Sequence, residues 1–145
     1  MSPLLAALVL YLVFLVGTLA YALLRGGPDE RSGAITILIG VLLTQVVSVV
    51  GPSGNMAPGW FGPEIGVMVT DVAVFIAFVA IAYRSKKFWP IWAAASQLVA
   101  VLTHWTVILD PSIVKMVYTT AQPFWVFPML AALVLGTRAH RRSLP

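Results

Sequence analysis

Apolar residues run almost unbroken through five stretches of the chain, 4–24, 34–50, 66–83, 90–109 and 111–137. The first four are 17 to 21 residues long. At about 1.5 Å per residue they measure roughly 25 to 31 Å as helices, close to the hydrocarbon thickness of a bilayer. The pattern predicts an all-α, membrane-embedded bundle of five transmembrane helices forming one domain over 1–145.

Breakers mark the boundaries. Gly26-Gly27-Pro28 cannot continue the first helix, and Gly51-Pro52 stops the second. Pro90 suits the first turn of the fourth, and Asp110-Pro111 places a capping carboxylate before a first-turn proline. A helix begun there and running to Thr137 has 27 residues, more than a straight crossing needs. Pro123 and Pro128 lie inside it, and each removes one backbone hydrogen bond, so a tilt or kink is expected. The segment 51–63, rich in Gly and Pro and carrying Trp60 and Phe61, reads as an interfacial loop or lid.

Composition agrees with this reading: 60% of residues are hydrophobic and 10% charged, which leaves no polar shell for a soluble domain of this length. The net charge of +4 resides in short clusters between apolar runs, where basic residues act as orientation signals rather than as a nucleic-acid surface. Arg25, Arg31, Arg84, Lys86, Lys87, Arg138, Arg141 and Arg142 fall on one side of a five-helix layout and Lys115 alone on the other. By the positive-inside rule the first side is cytoplasmic and the N-terminus lies outside, in a bacterial-type inner membrane. A four-helix count would separate the C-terminal arginines from the rest. Ala20-Tyr21-Ala22 resembles a signal-peptide cleavage site, but no positive n-region precedes it, so a retained first helix is expected. The absence of cysteine removes disulfides and thiolate chemistry.

Apart from groups near helix ends such as Lys115, the ionisable groups within the spans are Asp71 and His104, accompanied by Gln45, Gln97 and Gln122. An Asp near the bilayer centre costs on the order of 3 kcal/mol, so it should find a partner. Asp71 precedes the turn near Lys86 by about as many residues as His104 follows it, which puts both at one depth of the third and fourth helices. Gln97, Val101, His104 and Ile108 share one face of the fourth helix, and Tyr118, Gln122, Trp125 and Met129 form a stripe on the fifth. These polar groups converge on the outer half of the bundle, as structural glue or as a ligand or proton site. Trp60, Trp89 and Trp92 fit an interfacial belt, while Trp105 and Trp125 lie deeper and could wall a flat apolar ligand such as a quinone. Gly33, Gly40, Thr44 and Ser48 make a small-residue stripe on the second helix, suited to close approach within the bundle or to another protein.

No G-x-S-x-G elbow, H-E-x-x-H helix or phosphate-binding glycine loop occurs in the sequence. His104 is the sole intramembrane histidine, which excludes a bis-histidine haem across the bundle, and with Asp71 it supplies two of the three or four ligands a metal wants. Cofactors are therefore left undefined and no enzymatic activity is expected. The run 71–84, Trp89-Pro90 with Trp92, Gln97, His104, Asp110-Pro111, Tyr118, Gln122 and Thr137 with His140-Arg141-Arg142 resembles a group of small uncharacterised proteobacterial multi-pass membrane proteins. That resemblance implies no activity. The layout is also similar to the tryptophan-rich sensory proteins, whose Trp- and Pro-rich first loop is not matched. The leading expectation is a non-catalytic accessory subunit that sits in the lipid bilayer beside another membrane protein or a second copy. The alternative is a small-molecule binder, quinone-like or lipid, or a proton-linked conduit, centred on Asp71 and His104.

Overall fold

The structure, a computed structural model, describes residues 3–50, 65–109 and 122–145. The described residues form five α-helices: α1 (Pro3–Arg25), α2 (Pro28–Val50), α3 (Ile65–Arg84), α4 (Trp89–Leu109) and α5 (Val126–Arg142), the last preceded by a 3-10 turn, Gln122–Trp125. Windows of α1, α2 and α3, at Leu8–Arg25, Pro28–Val49 and Ile65–Arg84, are long and apolar enough to cross a membrane. The loop 51–63, Lys115 and Tyr118 lie outside the described residues.

The helices alternate in direction. Helix α3 packs between α2 and α4, α5 packs against α4 and α1, and contacts of α2 with α1 and α5 close the bundle. Its core is built by Ile37, Phe78, Leu130 and Leu133, all essentially inaccessible. Large apolar side chains such as Leu10, Val13, Val16 and Leu24 of α1 point outward, as suits a surface solvated by lipid rather than water. The α1–α2 turn, the α3–α4 turn and the end of α5 gather at one end, called the basic end below because eight of the nine Lys and Arg residues belong to it.

Helix α2 starts at Pro28, six residues before the expected boundary at Ala34, and so includes Arg31, expected between the first two helices. The reason lies in the first turn. Proline at the first helical position loses no hydrogen bond, and Asp29 and Glu30 are favoured at the positive end of the helix dipole. Glu30 also reaches back to accept the Gly27 backbone N–H at 3.0 Å, the return half of a capping box. Charge misled the boundary because a charged turn is a good helix start.

The last helix differs as well. It continues to Arg142, past the expected end at Thr137, and its regular part begins at Val126. Pro123 falls in the 3-10 turn and Pro128 in the first turn of α5, where a missing N–H leaves no carbonyl of the helix unpaired. Among the described residues the break expected at these prolines takes the form of a 3-10 turn leading into α5; Asp110-Pro111 and the rest of the expected helix before Gln122 lie outside them.

Trp89 also departs from expectation. Expected in the interfacial belt, it is 5% exposed and sits inside the bundle, whereas Trp92 is 69% exposed. A Cβ on Gly33 of α2 would meet the Trp89 ring at 2.5 Å, and one on Gly136 of α5 would overlap its Cγ and Cδ1. Two glycines therefore form the slot for the indole, and Phe78 meets it edge-on at 6.4 Å between ring centroids.

Candidate functional site

Two polar constellations lie at different depths of the bundle. The first was not foreseen. Glu30 is completely buried, yet each lone-pair direction of its carboxylate is used. Lys87 donates to Oε1 at 2.8 Å and to Oε2 at 2.9 Å. The Trp89 indole N–H donates to Oε1 at 2.8 Å, and Gly27 N–H completes the set. Asp29 accepts from the Ser85 hydroxyl at 2.9 Å and lies 3.5 Å from Lys87. This network locks the α1–α2 turn to the α3–α4 turn. A buried carboxylate is tolerable only when so fully paired, and its chemistry is structural. The signal available in the sequence was Gly27-Pro28-Asp29-Glu30, a helix start whose third residue can reach back.

The second constellation holds the residues singled out from the sequence. Asp71 of α3 and His104 of α4 touch, His104 Nε2 lying 2.8 Å from Asp71 Oδ2. With Asp71 ionised, the imidazole donates from Nε2, either as the neutral ring protonated there or as the imidazolium. Gln97, about two turns earlier on α4, donates its amide to Asp71 Oδ1 at 2.9 Å. Gln97, Val101 and His104 form one buried face of α4, as their spacing requires. His104 is fully enclosed, while the Asp71 side chain keeps 17% of its surface. Asp71 is thus held from behind and exposed in front.

What it faces is a cavity of about 370 Å³ lined by side chains of all five helices, among them Leu8, Tyr11, Thr44, Gln45, Ala100 and Met129. Asp71, Gln97 and Trp125 form part of the same wall. Most of the lining is apolar, with a few polar groups that could fix an orientation, as small-molecule sites are commonly built. Trp125 Nε1 is a buried donor with no hydrogen-bond acceptor among the described residues. Leaving such a group unmade costs about 1 to 3 kcal/mol.

The other sequence candidates divide. Gln45 and Thr44 reach the cavity, and so does Gly40. Gly33 and Gly40 receive Trp89 and Val74 of the same chain, and Ser48 is exposed. The small-residue stripe thus works inside the bundle in its first half. Trp105 does not join Trp125; it is 49% exposed on the outside of α4, about 100° round the helix from His104. Gln122 begins the 3-10 turn beside Trp125. Among the described residues no three His, Asp or Glu side chains converge as metal ligands.

Comparison of the chain with protein-family models, with curated proteins and with solved structures gives no match.

Proposed function

We propose that the chain is a multi-pass inner-membrane protein of five spans, with its N-terminus outside and its basic end in the cytoplasm, that holds a mostly apolar small molecule in the cavity at Asp71. The observation that carries this reading is the cavity itself: it is largely apolar and has one carboxylate at its wall, oriented by His104 and Gln97. A quinone-like ring or a lipid with a hydroxyl or carbonyl head fits that lining. A donor on the ligand would find Asp71, and an oxygen that reached the Trp125 N–H would relieve its unmade bond. The residues supply recognition and no catalytic step. Charge asymmetry supports the orientation, and the resemblance to small proteobacterial membrane proteins supports the location.

Thermal unfolding of the detergent-solubilised chain with decyl-benzoquinone or with a monoacylglycerol tests the reading. Saturation to 100 times the dissociation constant stabilises the folded state by about 2.7 kcal/mol. The reading expects a rise in melting temperature with one of these probes, diminished in Asp71→Asn and abolished in Ala100→Leu, which fills the cavity. An equal rise in both variants would place binding elsewhere and end the proposal.

An accessory role beside another membrane protein is supported by a separate feature, a groove of about 580 Å³ between α4 and α5 lined by Phe88, Trp92 and Leu135. Purification in mild detergent distinguishes it. A stoichiometric protein partner supports that role, and isolated monomer counts against it.

A further inference from the structure

At the basic end, the two acidic residues are fully engaged: Glu30 with Lys87, Trp89 and Gly27, Asp29 with Ser85 and Lys87. The arginines are not. Arg25, Arg31, Arg138, Arg141 and Arg142 form no ion pair or side-chain hydrogen bond among the described residues. They nevertheless converge. One cleft of about 220 Å³ is lined by Tyr21, Arg138, Arg141 and Arg142. A second, of about 490 Å³, is lined by Arg25, Arg31, His140 and again Arg141, with Leu24 and Leu144 at its edge.

Orientation signals need only lie on the correct side of the membrane; they need not meet. Here side chains more than a hundred positions apart in the sequence, from around the α1–α2 turn and from the last turns of α5, line two clefts that have Arg141 in common. Unneutralised arginines lining the same clefts repel one another, and a bound anion reduces that repulsion. Guanidinium recognises phosphate oxygens in pairs. The second cleft also borders exposed apolar side chains, Leu24 at 75% and Leu144 at 58%. A phosphate placed there would have its chains running along α1.

We propose that these two clefts form a binding site for the phosphate headgroup of an anionic phospholipid. The site is distinct from the cavity at Asp71 and rests only on the chain being inserted in a membrane. Clustered basic groups at a cytoplasmic membrane surface attract such lipids, and in this chain the cluster is shaped by three helices.

Native mass spectrometry of the full chain in detergent tests this, with phosphatidylglycerol, phosphatidylcholine and inorganic phosphate as separate probes. Phosphatidylglycerol is expected to bind at least ten-fold more tightly than phosphatidylcholine. Arg138→Gln with Arg141→Gln should weaken it about 10- to 30-fold, from the contribution of each basic residue near an anionic lipid surface. Arg25→Gln with Arg31→Gln should act alike, and the exposed positions of all four leave the melting temperature unchanged. The control pair Arg84→Gln with Lys86→Gln removes the same charge from the same end and should change binding less than two-fold. Equal loss in the control pair would show general charge attraction and overturn the site, as would displacement of phosphatidylglycerol by an equal concentration of inorganic phosphate. Equal retention of phosphatidylcholine would overturn it too.

Discussion

Replacing Gly136 by alanine adds one methyl group, and the structure fixes what that methyl meets. Its Cβ would overlap Cγ and Cδ1 of Trp89 and come within 2.8 Å of Nε1. The ring has little freedom to retreat, because its Cη2–Cζ3 edge is seated against Gly33 and Glu30 holds its N–H at 2.8 Å. Overpacking of a filled site costs about 1 to 3 kcal/mol. A displaced indole would also weaken a hydrogen bond to a charged acceptor, a contribution of about 1.5 to 3 kcal/mol. Against these stands a gain in helix propensity of up to about 1 kcal/mol. The net expectation for Gly136→Ala is a loss of about 2 to 4 kcal/mol. Gly17→Ala is the matched control, since nothing lies within 4 Å of its virtual Cβ, and it should be neutral or slightly stabilising. Equilibrium unfolding in mixed micelles, followed by tryptophan fluorescence, reads both. A double-mutant cycle completes the test: in a Trp89→Leu background the cost of Gly136→Ala should fall below about 0.5 kcal/mol. If Gly136→Ala unfolds like the parent, or costs the same with and without the indole, the slot is not what positions Trp89.

Other outcomes follow from the same packing. Glu30→Gln keeps the shape and an acceptor for Trp89 but strips Lys87 of its buried countercharge, and should destabilise by about 2 to 4 kcal/mol, read by the same unfolding assay; a loss below 0.5 kcal/mol would contradict the described network. Ala100→Leu adds apolar volume to an existing void, so its stability should stay within about 1 kcal/mol of the parent while ligand retention disappears. A reporter fused after Pro145 should read cytoplasmic, and a periplasmic signal would invert the proposed orientation.

The helices were legible because period and length carry them: an apolar run of about twenty residues has few alternatives. The contact of Asp71 with His104 was legible as matched depth on two neighbouring helices, and Gln97 as a helical neighbour of His104. What the sequence could not provide is facing. Trp105 and Trp125 look alike as intramembrane tryptophans, yet one is 49% exposed and the other lines the cavity. Trp89 reads as a belt residue by position, and only the glycines of two distant helices turn it inward. Glu30 was hidden because a charge at a helix start is usually solvated, and its burial depends on Lys87 and Trp89, more than fifty residues away. Convergence of the arginines depends likewise on how α5 meets the α1–α2 turn.

On the proposed function, a small molecule occupies the cavity at Asp71. The most direct test is mass spectrometry of the small molecules retained by the chain purified from native membranes in mild detergent, run beside Ala100→Leu. One species bound in near-stoichiometric amount to the parent and missing from Ala100→Leu is the predicted result. Identical retained species in both, or nothing beyond bulk lipid in either, would contradict it.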